Sequence, residues 1–172
     1  KPALRFDAVP DQYDALRSPV APIGEAYTAF AVFAPNTTGL TERVIMQGYG
    51  GVSRLGITNG VLMRSASGTV SQLLPCPPHQ PLIATLRCNE LSSSFYVNGV
   101  NLTQNATPSG NWAGAGGTEN RVIIFGAGYG DGALLRPMDG DLAEVMVYNR
   151  ILSDHERQRV EASLADRYAI SL

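Results

Sequence analysis

Residues 94–102 read Ser94-Phe95-Tyr96-Val97-Asn98-Gly99-Val100-Asn101-Leu102. The central Asn-Gly supplies the two positive φ angles that a type I′ turn demands, and the alternating apolar residues around it belong to two strands with one buried face. The same device stands at Asn59-Gly60, between 54–58 and 61–64. Two such hairpins in one chain predict an all-β fold.

Working outward, the run 25–34 (Glu-Ala-Tyr-Thr-Ala-Phe-Ala-Val-Phe-Ala) is apolar on both of its alternating faces. That is the pattern of a central strand covered on each side. It stops at the turn pair Pro35-Asn36. Further strands are expected at 3–6, 43–47, 69–74, 82–88, 121–125 and 142–148, with the glycine-rich stretches 108–117 and 126–132 as loops between strands. Eighteen glycines and eleven prolines suit many short strands better than helices.

Helical period occurs only at the C-terminus. Ser153 is placed to cap a helix, and Glu156 three residues later completes a capping box. Val160, Leu164 and Tyr168 then form one stripe, predicted to pack on the sandwich and to leave Arg157, Arg159, Glu161 and Asp166 in water. About ten strands closed by one helix predict a two-sheet antiparallel sandwich. The 172 residues are expected to form a single domain, at roughly 150 residues per domain.

Composition narrows the function classes. Apolar residues at 44% against charged residues at 16% describe a chain that folds. No apolar run approaches the roughly 20 residues of a membrane span, and no leader-like segment is expected. A formal charge of −2, spread along the chain, offers no footprint for a phosphate backbone, so nucleic acid is not an expected partner. Twelve of the thirteen basic residues are arginine, and they form no patch in the sequence. Cys76 lies in a turn-rich stretch and Cys88 at the end of a strand-like run; six extended residues separate them by about 20 Å, which predicts free thiols rather than a bridge. The sequons at Asn36, Asn101 and Asn105 matter only in a glycosylating source.

The opening Leu4-Arg5-Phe6-Asp7, the strand Phe30-Ala31-Val32-Phe33, the hairpin Phe95-Tyr96-Val97-Asn98-Gly99, and above all the segment from Gly140 to Arg150 (Gly-Asp-Leu-Ala-Glu-Val-Met-Val-Tyr-Asn-Arg) running into Leu152-Ser153 and the helix, resemble the laminin G-like branch of the concanavalin A-like lectin/glucanase superfamily. The resemblance covers residues 4–168. It implies a jelly-roll sandwich with one concave sheet, appended to secreted, surface or viral proteins, where such domains bind glycans or other ligands or serve as spacers. Fold alone does not choose among these.

Catalysis is tested against the residues directly. The superfamily's retaining glucanases carry carboxylates two or four apart on one strand, set roughly 5 Å from one another. Glu25, Glu42, Glu90, Glu119 and Glu144 stand on separate segments. Asp141 and Glu144 are three apart, which predicts opposite faces. Glu144 keeps phase with Leu142 and Met146 and is read as a buried acid paired with an arginine. His79 and His155 form no triad, and the chain is not expected to be an enzyme.

For a sugar ligand the useful groups are exposed rings and short polar side chains. Asn111 and Trp112 in loop 108–117, with Tyr129 and Asp131 in 128–131, are the candidate ligand-binding residues. Trp112 is alternatively a plug beneath a long loop. Tyr49 is a weaker candidate, whereas Tyr27, Tyr96, Tyr148 and Tyr168 keep phase with apolar neighbours and are read as packing. Asp131, Asp139 and Asp141 read first as ordinary turn formers and alternatively as calcium ligands, Ca2+ preferring oxygen on flexible loops. The expected function is a non-catalytic glycan-binding or adhesion module of a larger extracellular protein, with carbohydrate and neighbouring domains as partners. The alternative is a structural or receptor-binding domain of a virion or tail fibre; a glycoside hydrolase or lyase ranks third.

Overall fold

The computed structural model describes residues 2–6, 15–17, 26–36, 43–48, 53–58, 61–66, 69–89, 94–102, 123–130 and 133–172. At its centre is β3 (Ala26–Pro35), the run that is apolar on both faces. Tyr27, Ala29, Ala31 and Phe33 point into one apolar cluster, and Phe30 and Val32 into a second on the opposite side. Two different neighbours therefore cover one strand, which is why its pattern does not alternate.

The other strands are β1 (Leu4–Phe6), β2 (Leu16–Arg17), β4 (Arg43–Gly48), β5 (Ser53–Thr58), β6 (Val61–Ala66), β7 (Thr69–Pro75), β8 (Leu82–Asn89), β9 (Ser94–Val97), β10 (Val100–Asn101), β11 (Ile123–Phe125), β12 (Gly128–Gly130), β13 (Ala133–Leu135) and β14 (Gly140–Tyr148). They form a first sheet in the order β1-β14-β3-β8-β9-β10 and a second in the order β2-β11-β4-β5-β6-β7, with β12 and β13 as a separate ribbon. Every pairing among the described residues is antiparallel. The two-sheet sandwich expected from the hairpins is the observed fold. Its core contains Phe33, Ile45, Met46, Leu55, Leu86 and Phe95, contributed by both sheets.

Asn98 and Gly99 take φ of 45° and 78°, as a type I′ turn requires, and join β9 to β10. In the other hairpin Thr58 stands opposite Val61, while Asn59 and Gly60 lie outside the described residues. The segment 126–132, expected as a loop, carries β12 instead. Glycine discourages a strand, but β12 needs only backbone hydrogen bonds, and Ala133–Leu135 supplies them. The two-residue β2 is too short to leave a periodic signal.

Helix α1 (Asp154–Tyr168) is capped as expected. The Ser153 side chain accepts from the Glu156 N–H, and the Glu156 carboxylate accepts from the Ser153 N–H. It lies on the outer face of the first sheet, where Leu164 and Leu152 join Phe30, Val32 and Ile83, and Val160 and Tyr168 pack half-buried beside them. Thr28 of β3 anchors the segment before the helix, donating to the Arg150 carbonyl at 3.0 Å and accepting from the Leu152 N–H at 2.9 Å.

Two residues expected in water are buried. Arg157 is 4% exposed and Glu161 1%. They pair one turn apart; Thr85 Oγ1 of β8 donates to Glu161 at 2.7 Å, and the Arg157 guanidinium lies 3.8 Å from the centre of the Tyr96 ring. The helical spacing marks them only as charged. That β8 and β9 cover them is a tertiary fact.

Candidate ligand-binding site

A group of polar contacts is built where β3 stops. Gly140 opens β14 so close to β3 that a Cβ there would lie 2.4 Å from the Ala34 carbonyl oxygen, an approach only glycine permits. This contact brings Asn36 to Asp139. The Asn36 N–H donates to the Asp139 carbonyl at 2.9 Å and its side-chain amide to the Asp139 carboxylate at 3.4 Å. His79, at φ 61°, donates its N–H to the Pro35 carbonyl at 2.6 Å.

One residue further, Asp141 meets Arg5 of β1 in a bidentate pair, Nε to Oδ1 and Nη2 to Oδ2, each 2.8 Å. The Arg5 hydrogen bonds hold the Asp141 carboxyl below the usual carboxylate range, with His79 adding a smaller pull in the same direction. Both carboxylate oxygens are thus engaged, and a calcium ion at Asp141 would compete with a guanidinium. Among the described residues, no three His, Cys, Asp or Glu side chains stand together as a metal ion would need.

The ribbon β12–β13 enters the same region along the chain. Tyr129 stands opposite Leu134 in the backbone register. The base of the ribbon is fastened to β4, since Val44 N–H donates to the Arg136 carbonyl at 3.0 Å, Gly126 N–H to the Ile45 carbonyl at 2.9 Å, and Met138 N–H to the Gly126 carbonyl at 2.6 Å. Tyr129, Asp139 and Asp141 therefore belong to one continuous segment with a fixed base. Asn111, Trp112 and Asp131 lie outside the described residues, as does Tyr49.

The face assignments on β14 need correction. Leu142 packs into the sandwich core, but Ala143 and Met146 pack on the helix side, because a β-bulge between Leu142 and Glu144 inserts one residue. Glu144 consequently faces the helix, on the same side as Asp141 rather than the opposite one, and shares no face with Leu142. Its reading as an acid held by an arginine stands, although it is half-buried: Arg167 Nη1 donates to both carboxylate oxygens at 2.8 Å and the Tyr168 hydroxyl to Oε2 at 3.0 Å. Asp141 and Glu144 thus each have their own arginine.

A groove of about 410 Å³ runs between β14 and α1. Its floor includes Met146, Tyr148 and Val160, and Arg150, Arg159 and Arg167 stand around it. Sequence reading missed it because its arginines are spread over residues 150–167 and converge only when the helix lies along the strand.

Cys76 carries a free thiol, fully buried, with its pKa pushed up to about 11 by that burial. The side chain of Cys88 is outside the described set. Among the described residues, no helix is long and apolar enough to cross a membrane.

No protein-family model and no curated protein matches this chain. Solved structures do. The native heptameric SAP-like pentraxin from Limulus polyphemus superposes with a TM-score of 0.68 at 13% identity, covering 91% of this chain and 80% of that one. The CBM40 of the Ruminococcus gnavus IT-sialidase, bound to α2,3-sialyllactose, gives 0.61 at 15% identity over 80% of this chain and 82% of that one. Domain 4 of AbnA, an extracellular arabinanase of Geobacillus stearothermophilus, in complex with arabinotriose, gives 0.57 at 13% identity over 92% and 71%. At these identities the likeness is one of fold, the concanavalin A-like jelly roll.

Proposed function

We propose that this domain binds glycan without transforming it, as a module of a larger extracellular protein. The observation that carries the reading is the fold itself, shared over most of the chain with two domains that hold oligosaccharides in their own structures. The non-catalytic half is supported by the carboxylates. Asp141 and Glu144 share a face, yet each is neutralised by an arginine, whereas a glycosidase pair needs one free carboxylate and one proton donor. The laminin G-like branch is the finer family assignment within this reading.

The proposed ligand-binding residues are Asn111, Trp112, Tyr129 and Asp131. A ring face and hydrogen-bonding side chains together are what sugar recognition needs, and the fixed base of the β12–β13 ribbon holds the backbone that carries Tyr129. Single-site affinity would be modest and raised by multivalent display.

The test is a glycan array probed with multivalent wild type, Trp112→Ala and Tyr129→Ala, with calcium and with chelator. Binding that drops about tenfold in a folded variant supports the reading, by the loss of one stacking contact. Loss on chelation would assign calcium to Asp131, Asp139 and Asp141 at the expense of the Arg5 pair. If multivalent wild type binds no glycan, the domain is better read as a spacer or assembly contact of a virion or fibre protein.

A further inference from the structure

The groove between β14 and α1 has a charge pattern that a packing surface does not require. At one end Arg150 binds Glu156 through two hydrogen bonds of 3.0 and 2.7 Å, and at the other Arg167 binds Glu144. All four residues line the groove. Between them, Arg159 is exposed and has no acidic partner among the described residues. Ser163, one turn on from Arg159, presents an exposed hydroxyl on the same side of the helix.

The acceptors are as informative as the cation. Among the described residues Glu156 Oε1 accepts only from Arg150 and Glu144 Oε1 only from Arg167, so each retains a lone pair toward a further donor. The floor between them is the half-buried surface of Met146, Tyr148 and Val160. The site thus offers one uncompensated guanidinium, two carboxylate acceptors, a hydroxyl and an apolar strip, within a volume at the lower end of small-molecule pockets.

We propose that this groove binds a single pyranose ring carrying one carboxylate, a hexuronate or its glycoside. The carboxylate pairs with Arg159, for which the guanidinium fork is the matching geometry. The ring hydroxyls donate to Glu144 and Glu156, and the C–H face lies on Tyr148 and Met146. A phosphate ester suits the site less, since its two charges would meet two carboxylates with, among the described residues, one unpaired cation between them. A neutral sugar leaves Arg159 unmatched. This site is separate from the loop residues proposed above, so neither depends on the other.

The experiment is an amide NMR titration of the 172-residue chain with methyl glucuronoside, methyl galacturonoside, methyl glucoside and inorganic phosphate. A uronoside should give saturable shifts at Met146, Tyr148, Val160 and Ser163, and methyl glucoside should bind about tenfold more weakly for want of the charged contact. Arg159→Gln should lose about the same factor, and Arg159→Lys should retain part of it. No saturable shift with either uronoside would overturn the proposal. So would equal binding of methyl glucoside, tighter binding of phosphate than of the uronosides, or an undiminished Arg159→Gln response. Failure of the glycan array with this titration intact would sink the loop site alone.

Discussion

Replacing Glu161 with Leu removes the partner of a guanidinium that has nowhere to go. Arg157 is 4% exposed, its charge is matched by Glu161, and its remaining neighbours are the face of Tyr96 at 3.8 Å and Asp154 Oδ1 at 3.7 Å. Asp154 is largely in solvent and is engaged by Arg87 at 2.7 Å, so it compensates little. Thr85 Oγ1 also loses its acceptor. Stranding one member of a buried pair costs about 3–5 kcal/mol. In a chain of this size that lowers the melting temperature by roughly 6–20 °C. Burial of the pair makes a second, opposite expectation. Arg157→Met with Glu161→Leu removes both charges and fills the same space beneath α1, and should return to within about 1 kcal/mol of wild type or exceed it. Urea unfolding of the wild type, both singles and the double, followed by circular dichroism, closes the cycle. A Glu161→Leu cost below about 1 kcal/mol, or a double variant as unstable as the sum of the singles, would refute the argument that the two charges are buried and coupled.

Two further outcomes follow from the titrating groups. Glu156 is held down to about 2 by its Arg150 hydrogen bonds and, secondarily, by the Ser153 cap. Its folded pKa lies below the unfolded value, so its support for the helix N-terminus is present above about 4.5 and is lost as pH falls toward 2. An NMR titration of the Glu156 carboxyl should show this low midpoint, and one near 4.5 would mean that the capping box and ion pair do not persist in solution. Cys76, raised to about 11 by burial, should resist thiol reagents at pH 8 in the native protein and react once unfolded. Because its folded pKa exceeds the unfolded 9.0, the stability this thiol contributes is intact below pH 9 and is lost as pH climbs through 11. Rapid native modification at Cys76 would contradict its position in the core.

What was legible in the chain is what local chemistry controls. Asn98-Gly99 makes its turn because positive φ is a property of those two residues, and Ser153 caps α1 because its partner Glu156 is three positions away. The doubly apolar run of β3 announced a strand covered on both faces, since that requirement is written into every residue of it. Tertiary structure decided matters of phase and company. One inserted residue in β14 turned Glu144 from the core toward the helix, a change of face that a period of two cannot anticipate because the bulge is a relation to β3. Arg157 and Glu161 look like solvent-facing residues on a helical wheel, and became a buried pair because Thr85 and Tyr96, remote in sequence, arrive above them. Asp141 found Arg5 across more than 130 residues, and Arg150, Arg159 and Arg167 came to surround one groove, only when α1 was laid along β14. Local pattern sets which elements form, because a turn or a cap is satisfied within a few residues. Which charges meet depends on how those elements pack.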